Sequence, residues 1–156
     1  MKNILSIIIF LTLFICCKKE RKDCKNAELE NKIIISNWGT DNMKNSDIKL
    51  YAYDTSYTKK IDSFEIDKVT VFNDKKAVAD YFGSMEIILN KPLLSKDNYR
   101  LILFDSLKYD ISNIEILTET VMIGMREKKE CLVNSFKING SVVENHTSDA
   151  KIVFRK

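Results

Sequence analysis

Glycine and proline are scarce, four and one in 156 residues. Low-complexity disorder is excluded on that composition, and no internal repeat at a solenoid period is present. Histidine occurs once, as His146 in the polar stretch Glu144-Asn145-His146-Thr147. A Ser-His or Cys-His catalytic pair would have to use it, and a lone histidine in such a loop is expected to be an ordinary surface residue. One histidine, with Cys24 and Cys131 more than a hundred residues apart, supplies no zinc spacing. No glycine-rich phosphate loop occurs. Charge of one sign is lacking too, since 25 basic and 22 acidic residues leave +3. That balance, with no basic stripe interleaved with aromatics, argues against a nucleic-acid partner. A long hydrophobic run is also missing. The longest, residues 4–15, has only Ser6 and Thr12 as polar members. As a helix it would span about 18 Å, short of a bilayer core of about 30 Å.

Residues 4–15 show no polar face, so they do not read as a core helix. With Met1-Lys2-Asn3 before them they have the proportions of a secretory h-region. Phe14-Ile15-Cys16-Cys17 follows, then Lys18-Lys19-Glu20. This segment resembles a bacterial lipoprotein signal, in which a cysteine after an apolar-apolar-small triplet is acylated and becomes the mature N-terminus. The resemblance implies removal of residues 1–16 and acylation of Cys17, with Cys16 as the small residue. Acylation of Cys16 is the alternative and would put Ile15 in the small position. Lys18-Lys19-Glu20, and the stretch Tyr99-Arg-Leu-Ile-Leu-Phe-Asp-Ser-Leu-Lys-Tyr-Asp-Ile-Ser112, resemble small lipoproteins of Bacteroidetes-like bacteria. What that implies is an address, not an activity: lipid attachment to a membrane of the bacterial envelope, the outer membrane first, on either its periplasmic or its surface side.

Residues 18–31 contain nine charged residues and a single large apolar one, Leu29. So polar a stretch predicts a flexible lipidated tether over 17–31, followed by one domain over 32–156. Cys24 and Cys131 remain after processing. In an oxidising compartment they can form a disulfide that pins the tether to the domain, or stay free, one on the tether and one in the core.

Within the domain, short runs with period-two alternation dominate. Strands are expected near residues 32–38, 47–53, 69–72, 85–89, 98–104, 111–123, 131–138, 141–144 and 150–154. Asn139-Gly140 between two of them is a type I′ hairpin signal. Asp74 to Gly83 has helical spacing at Ala77, Val78, Tyr81 and Phe82 and predicts one short helix near 74–83. Eight or nine short strands and one short helix imply an all-β chain, a β-sandwich, with a β-rich α+β sheet as the alternative.

Chemistry-bearing groups are few. Asn37, Asp41, Asn42, Asn45 and Asp47 around Gly39 place oxygens in one loop, but the offsets do not match an EF-hand. No metal and no cofactor is expected. Asp105-Ser106-Leu107 resembles the acceptor of bacterial O-glycosylation, which makes Ser106 the candidate residue. Trp38, Tyr51, Tyr53 and Tyr57 are the candidate binding patch, with burial of the same rings under a loop as the plain alternative. The resulting expectation is a non-catalytic, lipid-anchored envelope protein that binds another envelope protein or a glycan. The alternative is an envelope inhibitor or immunity-type lipoprotein directed at a toxin or hydrolase. An envelope enzyme ranks last.

Overall fold

A computed structural model of the chain describes residues 24–39, 43–72, 83–123, 126–145 and 150–156. Among these residues ten strands form two sheets: β1 (Lys32–Ser36), β2 (Ile48–Tyr53), β3 (Lys60–Phe64), β4 (Ile66–Val71), β5 (Met85–Leu89), β6 (Asn98–Leu103), β7 (Leu107–Ile123), β8 (Arg126–Ile138), β9 (Ser141–Glu144) and β10 (Ile152–Arg155). One sheet has the order β10-β1-β5-β4 and the other β3-β2-β6-β7-β8-β9. The chain is an all-β sandwich, as its alternation implies. The predicted helix lies outside the described residues except for Gly83, which has φ 73°.

Alternation makes the sandwich because successive side chains of a strand point to opposite faces. Ile48, Leu50 and Ala52 of β2, Tyr99, Leu101 and Leu103 of β6, and Ile111 of β7 turn inward and are buried. They meet Ile33 and Ile35 of β1, Met85, Ile87 and Leu89 of β5, and Ile152 and Phe154 of β10 in one core. Tyr99 is fully buried and satisfies its hydroxyl on one residue. It accepts from the Leu94 N–H at 2.6 Å and donates to the Leu94 carbonyl at 2.8 Å. The predicted hairpin turn forms with both central residues left-handed, Asn139 at φ 48° and Gly140 at φ 85°.

Three differences from the sequence expectation stand out. β3 was not anticipated, because its first four residues are all exposed and carry no apolar alternation. Residues 107–123 form one continuous strand, and β8 begins at Arg126 rather than 131. The charged run Arg126-Glu-Lys-Lys-Glu130 is a strand because it pairs with β7, from Ile123↔Arg126 to Thr118↔Cys131. The third difference corrects the end of the tether. Residues 24–31 are packed. Cys24, Ala27 and Leu29 are buried. The Leu29 N–H donates to the Leu93 carbonyl at 2.8 Å, the Ser95 N–H to the Ala27 carbonyl at 3.0 Å, and the Glu30 N–H to the Ala150 carbonyl at 2.7 Å. Charged residues in this segment alternate with small or apolar ones, so average polarity hides a buried face.

Cys24 and Cys131 are joined by a disulfide across 107 residues, with Cα atoms 5.6 Å apart. The Thr118 hydroxyl donates to Cys24 Sγ at 3.2 Å. Closing so long a loop restricts the unfolded chain and is worth about 4 to 5 kcal/mol. The double variant Cys24→Ala/Cys131→Ala should therefore unfold at a much lower urea concentration than the oxidised protein. Urea titration monitored by Trp38 fluorescence checks this, and coincident midpoints would refute it.

Candidate binding face

The outer face of the six-stranded sheet carries the described groups with the most recognition chemistry. Register places them in a row, because β2 pairs β6 with Tyr51↔Arg100 and β6 pairs β7 with Arg100↔Asp110. Arg100 binds Asp110 through two parallel hydrogen bonds, Nε to Oδ1 at 2.6 Å and Nη2 to Oδ2 at 2.8 Å. Asp110 is itself held by the hairpin, since its N–H donates to Asn139 Oδ1 at 2.8 Å. The Asp110 carboxylate raises the Arg100 pKa further above its ordinary value, so the guanidinium is a permanent cation in a fixed plane.

That plane lies against two tyrosines. The guanidinium carbon is 5.2 Å from the Tyr53 ring centroid and 5.3 Å from that of Tyr57, and the two rings are 5.8 Å apart. Lys60 Nζ sits 4.6 Å from the Tyr51 centroid. Each of the three tyrosines thus has a cation over one face.

Tyr57 reaches this cluster from a loop, and Asp54 builds the loop. Asp54 Oδ1 accepts from the Thr58 N–H at 2.9 Å and the Lys59 N–H at 3.3 Å, and Oδ2 accepts from the Thr58 hydroxyl at 2.8 Å. These bonds, the Thr58 hydroxyl foremost, hold the Asp54 carboxyl below its usual range. They close the turn around Tyr57, which takes φ 56°, a conformation that a bulky residue adopts only when its surroundings impose it. The Tyr57 hydroxyl then donates to the Ile111 carbonyl at 2.8 Å, crossing over β6 to reach β7. Burial, helped by the Asp110 charge, pushes the Tyr57 pKa up to about 12.

The structure brings together three of the four residues of the sequence-predicted patch and removes the fourth. Tyr51, Tyr53 and Tyr57 are half-buried neighbours. Trp38 is only 2% exposed and belongs to the core between the sheets. Asn37 at φ 57° turns the chain after β1, and the indole stacks on Phe104 at 6.2 Å with Lys156 Nζ 4.2 Å above it. Sequence reasoning missed Arg100, Asp110, Lys60 and Asp54. Only Asp54 had a local signal, the Asp-Thr-Ser-Tyr-Thr turn pattern.

Ser106 lies exposed in the β6–β7 turn, beside Phe104 and Asp105 at φ 52° and 56°. Asp105 pairs with Lys49 at 2.6 Å. Cys131 is in the disulfide. The Asn45 amide donates to the Ile66 and Asp67 carbonyls of β4, and Asp47 Oδ2 accepts from the Lys44 N–H within its own turn. Asp41, Asn42, His146, and both Cys16 and Cys17 lie outside the described residues. Among the described residues no group of three or more His, Cys, Asp or Glu is arranged to hold a metal ion.

No family model matches the chain, and comparison with curated proteins and with solved structures finds no match.

The Tyr57 pKa has a signed consequence. Above pH 10.0, the ordinary tyrosine value, the unfolded chain gives up this proton, whereas the folded chain keeps it to about 12. Stability therefore falls as pH rises through that window. Tyr57→Phe should cost about 1 kcal/mol at neutral pH through the lost hydrogen bond and should flatten part of the alkaline decline. Denaturation midpoints of both proteins between pH 7 and pH 11 measure it. Parallel curves would show that Tyr57 does not contribute.

Proposed function

We propose that this chain is a non-catalytic binding or accessory protein of a bacterial envelope, acylated at Cys17 and presenting the Tyr51, Tyr53, Tyr57 and Arg100 face to a partner protein. The observation that carries this reading is the Cys24–Cys131 disulfide. Such bonds persist in oxidising compartments and are rare in the cytosol. That fits the export and acylation implied by residues 1–17, and two or more acyl chains anchor stably.

The chemistry of the face supports a protein partner over a glycan. Sugar rings stack on open aromatic faces, and here Lys60 and Arg100 occupy one face of each tyrosine. Tyrosine and arginine held in fixed rotamers are the side chains that anchor protein interfaces with little ordering cost. The same rigidity favours a single tight partner, so an inhibitor or immunity-type role against an envelope toxin or hydrolase is the second reading.

Two outcomes test the proposal. In detergent phase partitioning, wild type and Cys16→Ser should follow the detergent and Cys17→Ser the water, with unchanged urea midpoints. Equal partitioning of all three would refute anchoring at Cys17. In a pull-down from envelope extracts, Tyr53→Ala/Arg100→Ala should retain about tenfold less of any protein captured by wild type. One stoichiometric partner selects the inhibitor role and several weak ones the accessory role, whereas capture of carbohydrate alone would overturn the protein-partner reading.

A further inference from the structure

β6 leaves β7 at Tyr99↔Ile111, and β9 leaves β8 at Ser135↔Glu144. Beyond those points, among the described residues, β7 and β8 continue as a two-stranded arm, paired from Ile116↔Val133 to Ile123↔Arg126. A ribbon with no third strand has no core of its own. β7 nevertheless ends in the apolar sequence Val121-Met122-Ile123, and Met122 is 65% exposed.

We propose that the end of this arm inserts at the surface of the membrane that holds the lipidated N-terminus. This rests on acylation of Cys17, and chain length then decides what lies near the arm. The disulfide fixes Cys24 to Cys131, opposite Thr118 on the arm. Seven residue steps lead from Cys17 to Cys24, a reach of at most about 25 Å. Five residue steps run from the Thr118↔Cys131 pair to the Ile123↔Arg126 pair, about 17 Å. The stalk and the arm tip start from one point and have similar reach, so the tip touches the bilayer surface without stretching the stalk. Alternation also puts Met122 on the same face of the arm as Thr118, which bonds Cys24, so Cys24 lies on the side on which Met122 is exposed. Arm charges do not compete with this. Arg126, Lys128 and Lys129 balance Glu119, Glu127 and Glu130, so the contact is apolar and does not require anionic lipid.

The test uses the full acylated protein in zwitterionic vesicles whose acyl chains carry bromine. Met122→Trp adds an indole at the arm end, and Val142→Trp adds one at an equally exposed site (65%) at the other end of β8. Trp38, buried in both, is the common background. Met122→Trp emission should shift to the blue and lose most of its added intensity to bromine quenching, at low and high salt alike, with Val142→Trp unaffected. An acylated protein whose Met122→Trp emission is unquenched overturns the arm contact and leaves the anchor standing. A blue shift that grows with protein concentration and ignores bromine assigns the arm to a second copy of the chain and also overturns it. If the mass of the mature chain shows no acyl group, the arm contact falls together with the anchor.

Discussion

The bond between Cys24 and Cys131 is the constraint on which the rest of the molecule depends. It takes a segment whose composition is that of a tether and makes it part of the domain, with Cys24, Ala27 and Leu29 buried against the body. It also lies where β7 and β8 outrun their neighbours, at a point where a two-stranded ribbon would otherwise stand alone. Ribbons of two strands are marginal in water. A covalent cross-link, a buried Cys131 and the Thr118 hydroxyl on Cys24 Sγ therefore stabilise the base of the arm where sheet pairing gives out.

The two faces of the six-stranded sheet solve different problems with the same strands. Inward, Leu50, Leu101 and Ile111 need only volume and apolarity. Outward, Tyr51, Arg100 and Asp110 occupy the intervening positions, and each is ordered by a neighbour: ring by cation, cation by carboxylate, and the Asp110 backbone by its N–H bond to Asn139 Oδ1. Because every member is already partnered, little side-chain freedom remains to be lost when something docks. The strained Tyr57 backbone is part of the same arrangement, since the Asp54 turn and the Ile111 carbonyl together hold a conformation that the residue would not choose.

Much of the sandwich was legible because burial writes itself into sequence at period two. Ile48-Lys-Leu-Tyr-Ala-Tyr53 declares its inner face, and Asn139-Gly140 declares its turn. What was not legible is whatever pairing imposes without burial. β3 and the Arg126–Glu130 end of β8 are strands because a partner strand supplies hydrogen bonds, and nothing in their apolar content says so. The binding face was legible only in part for the same reason. Arg100 and Asp110 are ten residues apart, and only the register of β6 on β7 makes them a pair. Trp38 was misplaced because an aromatic residue just beyond a strand can turn either way, and the left-handed Asn37 before it decides which.

β7 links the two surfaces that matter to the proposed role. Asp110, which orients Arg100, lies near its start, and Met122 lies at its end. Twelve residue steps separate them, about 40 Å along an extended strand, less where the bulges between Ser112 and Ile116 bend it. On the proposed reading, a bilayer at the Met122 end leaves the tyrosine–arginine face well clear of the headgroups. A long disordered stalk would also give clearance, but it would leave the orientation of the face free. On the same proposed reading the disulfide leaves only the residues between Cys17 and Cys24 as stalk, and the strand supplies both distance and direction. On that reading a face that presents fixed rotamers gains most from such mounting, because a partner approaching along the proposed envelope membrane would meet it at a constant height and angle.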